Sequence, residues 1–442
     1  MKYFFVGIKG VGMTSIATLY KEWGHDVSGS DTEEEFFTDK ILRELGVTVL
    51  PFAAENITRD LDTVFFSSAY NGEHTEIKRA KELGLRLISY GEALAEIFNV
   101  RKGILVTGTH GKTTSAAMLG LVLEDAGFDP TVVVGGELVE WQRTARASLG
   151  GGTSKSWMVA EGDEYQAKIL MLKPQLLLIT NIEYDHPDFY ANEEAYRDVF
   201  RKLLEQMSPD SLVVVHETLC EFISTIYRTN LPRVIFFDDL QDDATLSVWG
   251  RHNRINAAGI LAIAEALGVS REKALMTLVA FRGTRRRMEL YTKENAEVVI
   301  MDDYAHHPTE IRATLQAIRE HYPERKVVAI FQPHTFSRTK AFLGDFAAAF
   351  KDASKVILLD VYGSAREKDH TVSGKDLLAA TQKNHPAVFF AENKEKAGEL
   401  ARSLAAPGSV FVTLGAGDVW QVARKLADYV RGIAIKLPSS RM

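Results

Sequence analysis

The chain predicts an α/β protein with largely parallel sheets, divided into three blocks. Strand-like apolar runs alternate with amphipathic helical stretches along the whole length, the pattern of repeated βαβ units. A strand that runs into a glycine turn and then a helix occurs more than once. The 442 residues suffice for two to four domains at roughly 150 residues each. Two junctions divide them, at 99–102 and 281–290, so the expected blocks are 1–100, 101–288 and 289–442.

In the first block, residues 3–6 read as a strand that enters Gly7, Gly10 and Gly12, with a helix over 13–23. A second strand ends at Gly29-Ser30-Asp31, followed by strand 63–67, helix 75–83, strand 86–88 and helix 92–98. The second block opens on strand 103–106, turns through Gly108 to Thr114 and enters a helix to 125. Strands 157–160 and 175–180 and helices 193–206, 253–267 and 271–279 follow, with a glycine-rich turn at 149–153. The third block holds strand 298–301, a helix from Pro308, strand 327–331, helix 338–350, strands 356–359 and 410–414, and a last long helix. Proline suits the first turn of a helix, where its missing N–H costs nothing.

The net charge of −7 argues against a general nucleic-acid binder, and the run Arg285-Arg286-Arg287 is too short to change that. One cysteine, Cys220, leaves no intrachain disulfide and fits a reducing cytosol. It lies in an apolar, helix-like stretch, where packing is the expected role. The first residues lack the apolar core and cleavage site of a signal peptide, and no apolar run is long enough to span a bilayer. A cytoplasmic protein without membrane insertion is expected.

The strongest chemical signal is Thr107-Gly108-Thr109-His110-Gly111-Lys112-Thr113-Thr114, between a strand and a helix. Glycines let several N–H groups face one point, and the helix N-terminus adds positive potential there. Lys112 can neutralise β and γ phosphates, and the Thr113 hydroxyl can bind Mg²⁺. The glycine of the usual Walker spacing is replaced by Val106, so this is a phosphate loop of another pattern. A second signal is a set of metal-type ligands past strand ends of the same block: Glu161, Glu164, Asp185 and His186.

The third signal is Asp302-Asp303-Tyr304-Ala305-His306-His307-Pro308, at a strand-to-helix junction of the last block. Two carboxylates, a phenol and two imidazoles at one strand end are costly to bury without partners. A similar junction follows the next strand and carries His334 and Arg338, the latter a natural clamp for carboxylate or phosphate. The fourth is Gly7-Ile8-Lys9-Gly10-Val11-Gly12-Met13 with Asp31 after the next strand. It offers N–H groups to a pyrophosphate, in NAD or in a UDP-sugar.

In this order the motifs resemble the Mur ligase family along essentially the whole chain. Besides those above, Ser67-Ser68-Ala69, Asn181 to His186, Gly250 to Asn256, Phe281 to Arg287 and Leu414 to Asp418 carry the resemblance. Asp-Asp-Tyr-Ala-His-His-Pro-Thr-Glu-Ile and Phe-Gln-Pro-His-Thr-Phe-Ser-Arg-Thr favour the alanine-adding branch. The resemblance implies an N-terminal Rossmann-like domain for UDP, a central P-loop ATPase-like domain and a C-terminal Rossmann-like domain for the amino acid. It implies ATP and Mg²⁺, two ions, as cofactors, with UDP-N-acetylmuramate and L-alanine as partners and a monomer or homodimer. The sugar carboxylate would attack the γ-phosphate, and the amine of alanine would then displace phosphate from the acyl phosphate.

By the same resemblance Thr113, Glu161 and His186 would hold metal. Gly108, Thr109, His110, Gly111, Lys112, Thr113 and Thr114 would hold the ATP phosphates together with Arg287, and His252, Asn253 and Asn256 the adenine side. Gly10, Gly12, Met13, Ser30, Asp31 and Ser68 would hold the UDP-sugar. Asp303, Tyr304 and His306 would close over the reacting centre, with His334 and Arg338 orienting the amino acid.

The chain departs from the family at Gly162 and Tyr165, where alanine and serine are usual, and at Thr335, where part of the family has arginine. Tyr165 resembles the relative that reattaches recycled tripeptide, which stays open as an alternative, as does a catalytically idle module that senses UDP-sugars. A carbamylated lysine, used elsewhere in the family, has its counterpart region at Lys202. An NAD oxidoreductase built on the first glycine turn leaves the second phosphate loop unexplained.

Overall fold

The structure is a computed structural model that describes residues 1–150, 156–226, 232–240, 245–363, 367 and 371–436. Its chain forms three sheets with helices on their faces, the α/β class expected from the alternation of elements. Two compact units hold them. One comprises 1–183, 197–246 and 255–284; the other comprises 184–196, 247–254 and 285–442.

The first unit contains two sheets. In one, five parallel strands run in the order Thr48–Leu50, Asp26–Ser30, Lys2–Val6, Thr63–Phe66, Arg86–Ser89. Alternation along Lys2–Val6 divides its side chains between the two faces. Phe5 stacks on Phe65, and Tyr3 meets Tyr20 of helix Val11–Glu22. Phe4 and Val6 pack on the opposite side with Ile77 and Ala80. Strand order reverses at Lys2–Val6, so a ligand crevice opens at its carboxyl end, where Gly7 begins the glycine turn.

The other sheet has seven strands, Arg233–Phe237, Leu212–His216, Leu176–Ile179, Lys102–Thr107, Trp157–Glu161, Thr131–Leu138 and Arg143–Arg146, of which only the last pair is antiparallel. Helix Lys112–Asp125 follows its central strand and is buried along residues 113–123, as befits a helix apolar on all sides. Helix Val11–Glu22 also packs on the edge strand Arg143–Arg146, where Ser15 Oγ donates to Thr144 Oγ1 at 2.9 Å and Arg143 pairs with Glu22 at 2.9 Å. The two sheets of this unit are thereby joined through one helix.

The second unit is built on six strands in the order Glu289–Leu290, Val298–Asp303, Ser409–Leu414, Lys326–Phe331, Lys355–Leu359, Val388–Ala391, parallel except for the first pair. Val298–Asp303 and Ser409–Leu414 are buried at every residue, because helices cover both faces. Val299 and Met301 face one core; Val298 and Ile300 face the other. Helix Pro308–His321 begins on a capping box between His307 and Glu310, with Pro308 in its first turn as expected.

Two expectations are corrected. The helix expected over 338–350 is two short helices, Phe336–Ala341 and Leu343–Ala347. They break at Phe342 (φ −111°, ψ 24°), whose ring packs on His307 and Tyr184, so tertiary contacts override a continuous apolar period. Cys220 is exposed at the head of helix Cys220–Ile226; Phe222, Ile223 and Ile226 do the packing instead. Of the turn expected at 149–153, residues 151–153 lie outside the described residues. Among the described residues no helix is long and apolar enough to cross a membrane.

Candidate active site

Strand Lys102–Thr107 is central in its sheet and delivers the phosphate loop. Gly108 and Gly111 hold φ of +128° and +79°. A Cβ on Gly108 would lie 2.2 Å from Thr180 Oγ1, and one on Gly111 2.5 Å from Asn256 Oδ1, so glycine alone fits both places. The loop is laced to the end of the neighbouring strand. Thr109 N donates to the Asn181 carbonyl at 3.1 Å, His110 N to Asn181 Oδ1 at 3.0 Å, and Thr180 Oγ1 to the His110 carbonyl at 2.6 Å. Thr109 Oγ1 donates to the Glu183 carbonyl at 2.8 Å, and the His110 ring meets the Glu183 carboxylate at 2.9 Å.

Gly111 is the N-cap of helix Lys112–Asp125 and supplies no side-chain acceptor. The first N–H groups of the helix lack intrahelical acceptors and carry the positive end of the macrodipole, a ready anion site. Lys112 Nζ donates to the carbonyls of Gly108 and Thr109 at 2.6 and 2.9 Å and pairs with Glu164 at 2.9 Å. Burial alone would lower the Lys112 pKa, but the carboxylates of Glu164, Asp163 and Glu161 outweigh it and raise it, so the ammonium is charged. Thr113 Oγ1 donates to Glu161 Oε1 at 2.9 Å, and the other Glu161 oxygen takes the Gly135 N–H. A hydroxyl and a carboxylate in contact are hard oxygen donors of the kind Mg²⁺ takes. His186, nominated as a third ligand, belongs to the second unit. Thr114 is buried in the first helical turn.

At the switch point of the first sheet, Gly7 N and Ile8 N donate to the Ser30 carbonyl at 2.8 and 3.1 Å. The Asp31 carboxylate accepts Lys9 N and Thr32 N at 2.7 and 2.8 Å. Ser30 Oγ donates to Glu76 at 2.6 Å, and Glu76 also holds Ala53 N and Asn56 Nδ2. Ser30 and Asp31 thus brace the turn. Gly10 caps helix Val11–Glu22 without a side chain, and Met13 is buried in its first turn. A Cβ on Gly12 would meet the Tyr90 ring at 2.6 Å. Ser68 is exposed, two residues beyond strand Thr63–Phe66.

In the second unit the two acidic side chains that end strand Val298–Asp303 are divided in role. Asp302 accepts Arg286 Nε at 3.0 Å and Thr413 Oγ1 at 2.6 Å, and the same guanidinium holds the carbonyls of Gly415 and Gly417. Asp303 accepts Met288 N and Ala305 N at 2.8 and 2.7 Å, and burial pushes its carboxyl up to about 6. The Tyr304 ring lies under the guanidinium groups of Arg286 and Arg287, 5.1 and 5.0 Å away. His306 Nδ1 meets the Tyr304 carbonyl at 3.0 Å, which places a proton on Nδ1 and a lone pair on Nε2. Burial pushes His306 down to about 3 despite Glu310, and pushes His334 and His252 down to about 4, so all three imidazoles are neutral at pH 7. Asn253 Nδ2 donates to the Trp249 carbonyl at 2.7 Å.

Arg338 is committed. Its Nε and Nη2 grip the two oxygens of Asp185 at 2.8 and 3.2 Å, with both side chains 5% exposed. Asp185 Oδ1 also accepts the N–H of His186, which sits at φ +56°. Arg338 Nη1 reaches the His334 carbonyl at 3.4 Å, and the rings of His334 and His306 are 6.3 Å apart. The structure therefore brings Asp303, Tyr304, His306, His334, Arg338 and Arg287 together in one unit, and Lys112, Thr113, Glu161 and Asn256 in the other. Lys202 is exposed and pairs with Asp198 one helical turn away at 2.8 Å.

Sequence reasoning missed Tyr90, Glu76, Glu310 and Arg286. Glu310 had a signal, since it falls three residues after His307 in a capping-box spacing. Arg286 was legible only as one member of a charge run.

Three family models match the chain in succession: "Mur ligase family, catalytic domain" over residues 2–102, "Mur ligase middle domain" over 106–250, and "Mur ligase, glutamate ligase domain" over 286–417. The chain is 37% identical over 450 residues to a UDP-N-acetylmuramate–L-alanine ligase of Desulfitobacterium hafniense, covering 96% of this chain and 98% of that one. Among solved structures it resembles the UDP-N-acetylmuramate-alanine ligase of Thermotoga maritima, with TM-score 0.79, 28% identity, and 98% and 100% of the two chains covered. A murein peptide ligase of Psychrobacter arcticus shares the fold, with TM-score 0.70 at 22% identity over 97% and 98% of the two chains.

Proposed function

The chain belongs to the Mur ligase family, and we propose that it is an ATP-dependent ligase that joins L-alanine to the carboxylate of UDP-N-acetylmuramate. Likeness over nearly the full length to alanine-adding ligases, at 37% identity to one of them, supports this over the tripeptide-recycling alternative. The observation that carries the chemistry is the charged Lys112 and the Thr113–Glu161 pair at the head of one helix. In this reading 1–100 binds the UDP-sugar, 101–288 binds ATP and 289–442 binds the amino acid, in a cytoplasmic protein.

The sugar carboxylate attacks the γ-phosphorus of ATP, ADP leaves, and an acyl phosphate remains. The amine of L-alanine then attacks the acyl carbon, loses a proton and expels phosphate. Most of the help needed is electrostatic, because charge builds on phosphoryl oxygens. Lys112 and the loop N–H groups meet that charge. Thr113, Glu161 and His186 would hold Mg²⁺, two ions in all, and the metal would neutralise phosphate oxygens when bound. Asn256, His252, Asn253 and Arg287 are assigned to the nucleotide, and Ser68 with the first glycine turn to the UDP-sugar.

His306, a neutral imidazole with its Nε2 lone pair available, suits removal of the proton from the amine. His334 and the Nη1 edge of Arg338 orient the amino acid. The experiment is phosphate release with UDP-N-acetylmuramate, ATP and each of L-alanine, glycine, L-serine and the tripeptide. Release fastest with L-alanine agrees with the proposal; release with the tripeptide alone selects the alternative.

A further inference from the structure

Tyr90 is a residue that the roles above leave unused. It is the first residue of helix Tyr90–Asn99, and the reciprocal capping box of Ser89 and Glu92 fixes where that helix begins. Its half-buried ring covers Gly12 of the glycine turn, and a Cβ at Gly12 would fall 2.6 Å from the ring and 3.1 Å from the hydroxyl. Burial, and after it the nearby carboxylates of Glu161 and Asp163, raise the pKa of the phenol. Tyr90 therefore stands against the glycine turn of the first sheet and within electrostatic reach of the Thr113-paired Glu161 of the second. Among the described residues no protein group hydrogen-bonds its hydroxyl. A half-buried phenol in that place keeps its O–H for solvent or for an incoming acceptor.

In the proposed reaction the acid of the substrate comes toward the phosphate held by Lys112, in this same region. A neutral O–H donor there can hold it without placing a competing cation beside Lys112. We propose that Tyr90 is a substrate-binding residue whose hydroxyl donates to the carboxylate of the sugar nucleotide. The inference deepens the proposed function and rests on it. The glycine turn supplies N–H groups for the pyrophosphate, so Tyr90 would select nucleotide sugars that carry an acid.

Calorimetric titration of wild type and Tyr90→Phe with UDP-N-acetylmuramate and with UDP-N-acetylglucosamine, which lacks the acid, tests it. The expected result is a loss of about tenfold or more for the acid-bearing nucleotide, the worth of one hydrogen bond to a charged oxygen. Binding of UDP-N-acetylglucosamine and of an ATP analogue stays unchanged. Equal loss for both nucleotide sugars, or none for either, overturns the proposal. Unchanged binding of UDP-N-acetylglucosamine shows at the same time that Tyr90→Phe is folded, and Tyr90→Leu, which removes ring and hydroxyl together, gives at least the same selective loss. Wild type that binds neither nucleotide sugar sinks the proposed function itself; selective wild-type binding with an indifferent Tyr90→Phe sinks this inference alone.

Discussion

Arg338→Ala is expected to act on stability and on the site together. Arg338 and Asp185 form a bidentate pair at 2.8 and 3.2 Å with both side chains 5% exposed. Burial alone would raise the Asp185 carboxyl, yet Arg338 and then His186 hold it well below the usual carboxylate range. Removing the arginine leaves a buried carboxylate uncompensated, a loss of about 3–5 kcal/mol. Asp185→Ala/Arg338→Ala leaves no orphan charge, so the double variant should lose no more than the worse single one. Because the Asp185 carboxyl is depressed on folding, the pair's contribution is complete above the ordinary carboxylate pKa and fades as pH falls through the depressed one. Urea unfolding followed by circular dichroism, at pH 7 and at pH 3, reads all three variants against wild type. Additive losses in the double variant, or a single-variant loss under about 0.5 kcal/mol, would refute the reasoning, since an independent surface pair behaves that way.

Lys112→Ala should abolish phosphate release yet leave the circular dichroism spectrum unchanged; near-normal turnover would remove the lysine from catalysis. Gly108→Ala forces a Cβ to within 2.2 Å of Thr180 Oγ1 at φ +128°, so ATP-analogue binding should fall at least tenfold by calorimetry. The three neutral histidines His252, His306 and His334 have folded pKa values below their ordinary one. Each therefore contributes stability that is complete above about 6.5 and is lost as pH falls below it, at up to about 1.4 kcal/mol per pH unit. His306→Gln should flatten the stability–pH slope between pH 6 and 4 by that amount, and an unchanged slope would mean that His306 is not held neutral. Asp303, raised to about 6, acts in the opposite sense, so Asp303→Asn should steepen the loss on acidification between pH 6 and 4.

The phosphate loop was legible because glycine spacing and a lysine after a strand constrain the backbone locally. Gly108 and Gly111 do hold the positive φ that such a turn needs. Strand Leu212–His216 and helix Lys394–Leu404 lie outside the expected elements, because no motif adjoins them in the sequence. What sequence could not give was the pairing between distant residues. Arg338 reads as a free clamp until the fold brings Asp185, 153 positions away, against it. Likewise Asp31 reads only as a contact for the UDP-sugar, and the fold adds that its oxygens hold Lys9 N and Thr32 N. Tyr90 carries no motif at all, and only its place over Gly12 marks it.

The most direct test of the account is a mass-balanced turnover experiment. Purified protein is incubated with ATP, Mg²⁺, UDP-N-acetylmuramate and L-alanine, and ADP, phosphate and the UDP-sugar are quantified together. One ADP and one phosphate are expected for each UDP-N-acetylmuramoyl-alanine formed, and no product when L-alanine is withheld. ATP cleaved without any new amide, or an amide formed without ATP, would contradict it.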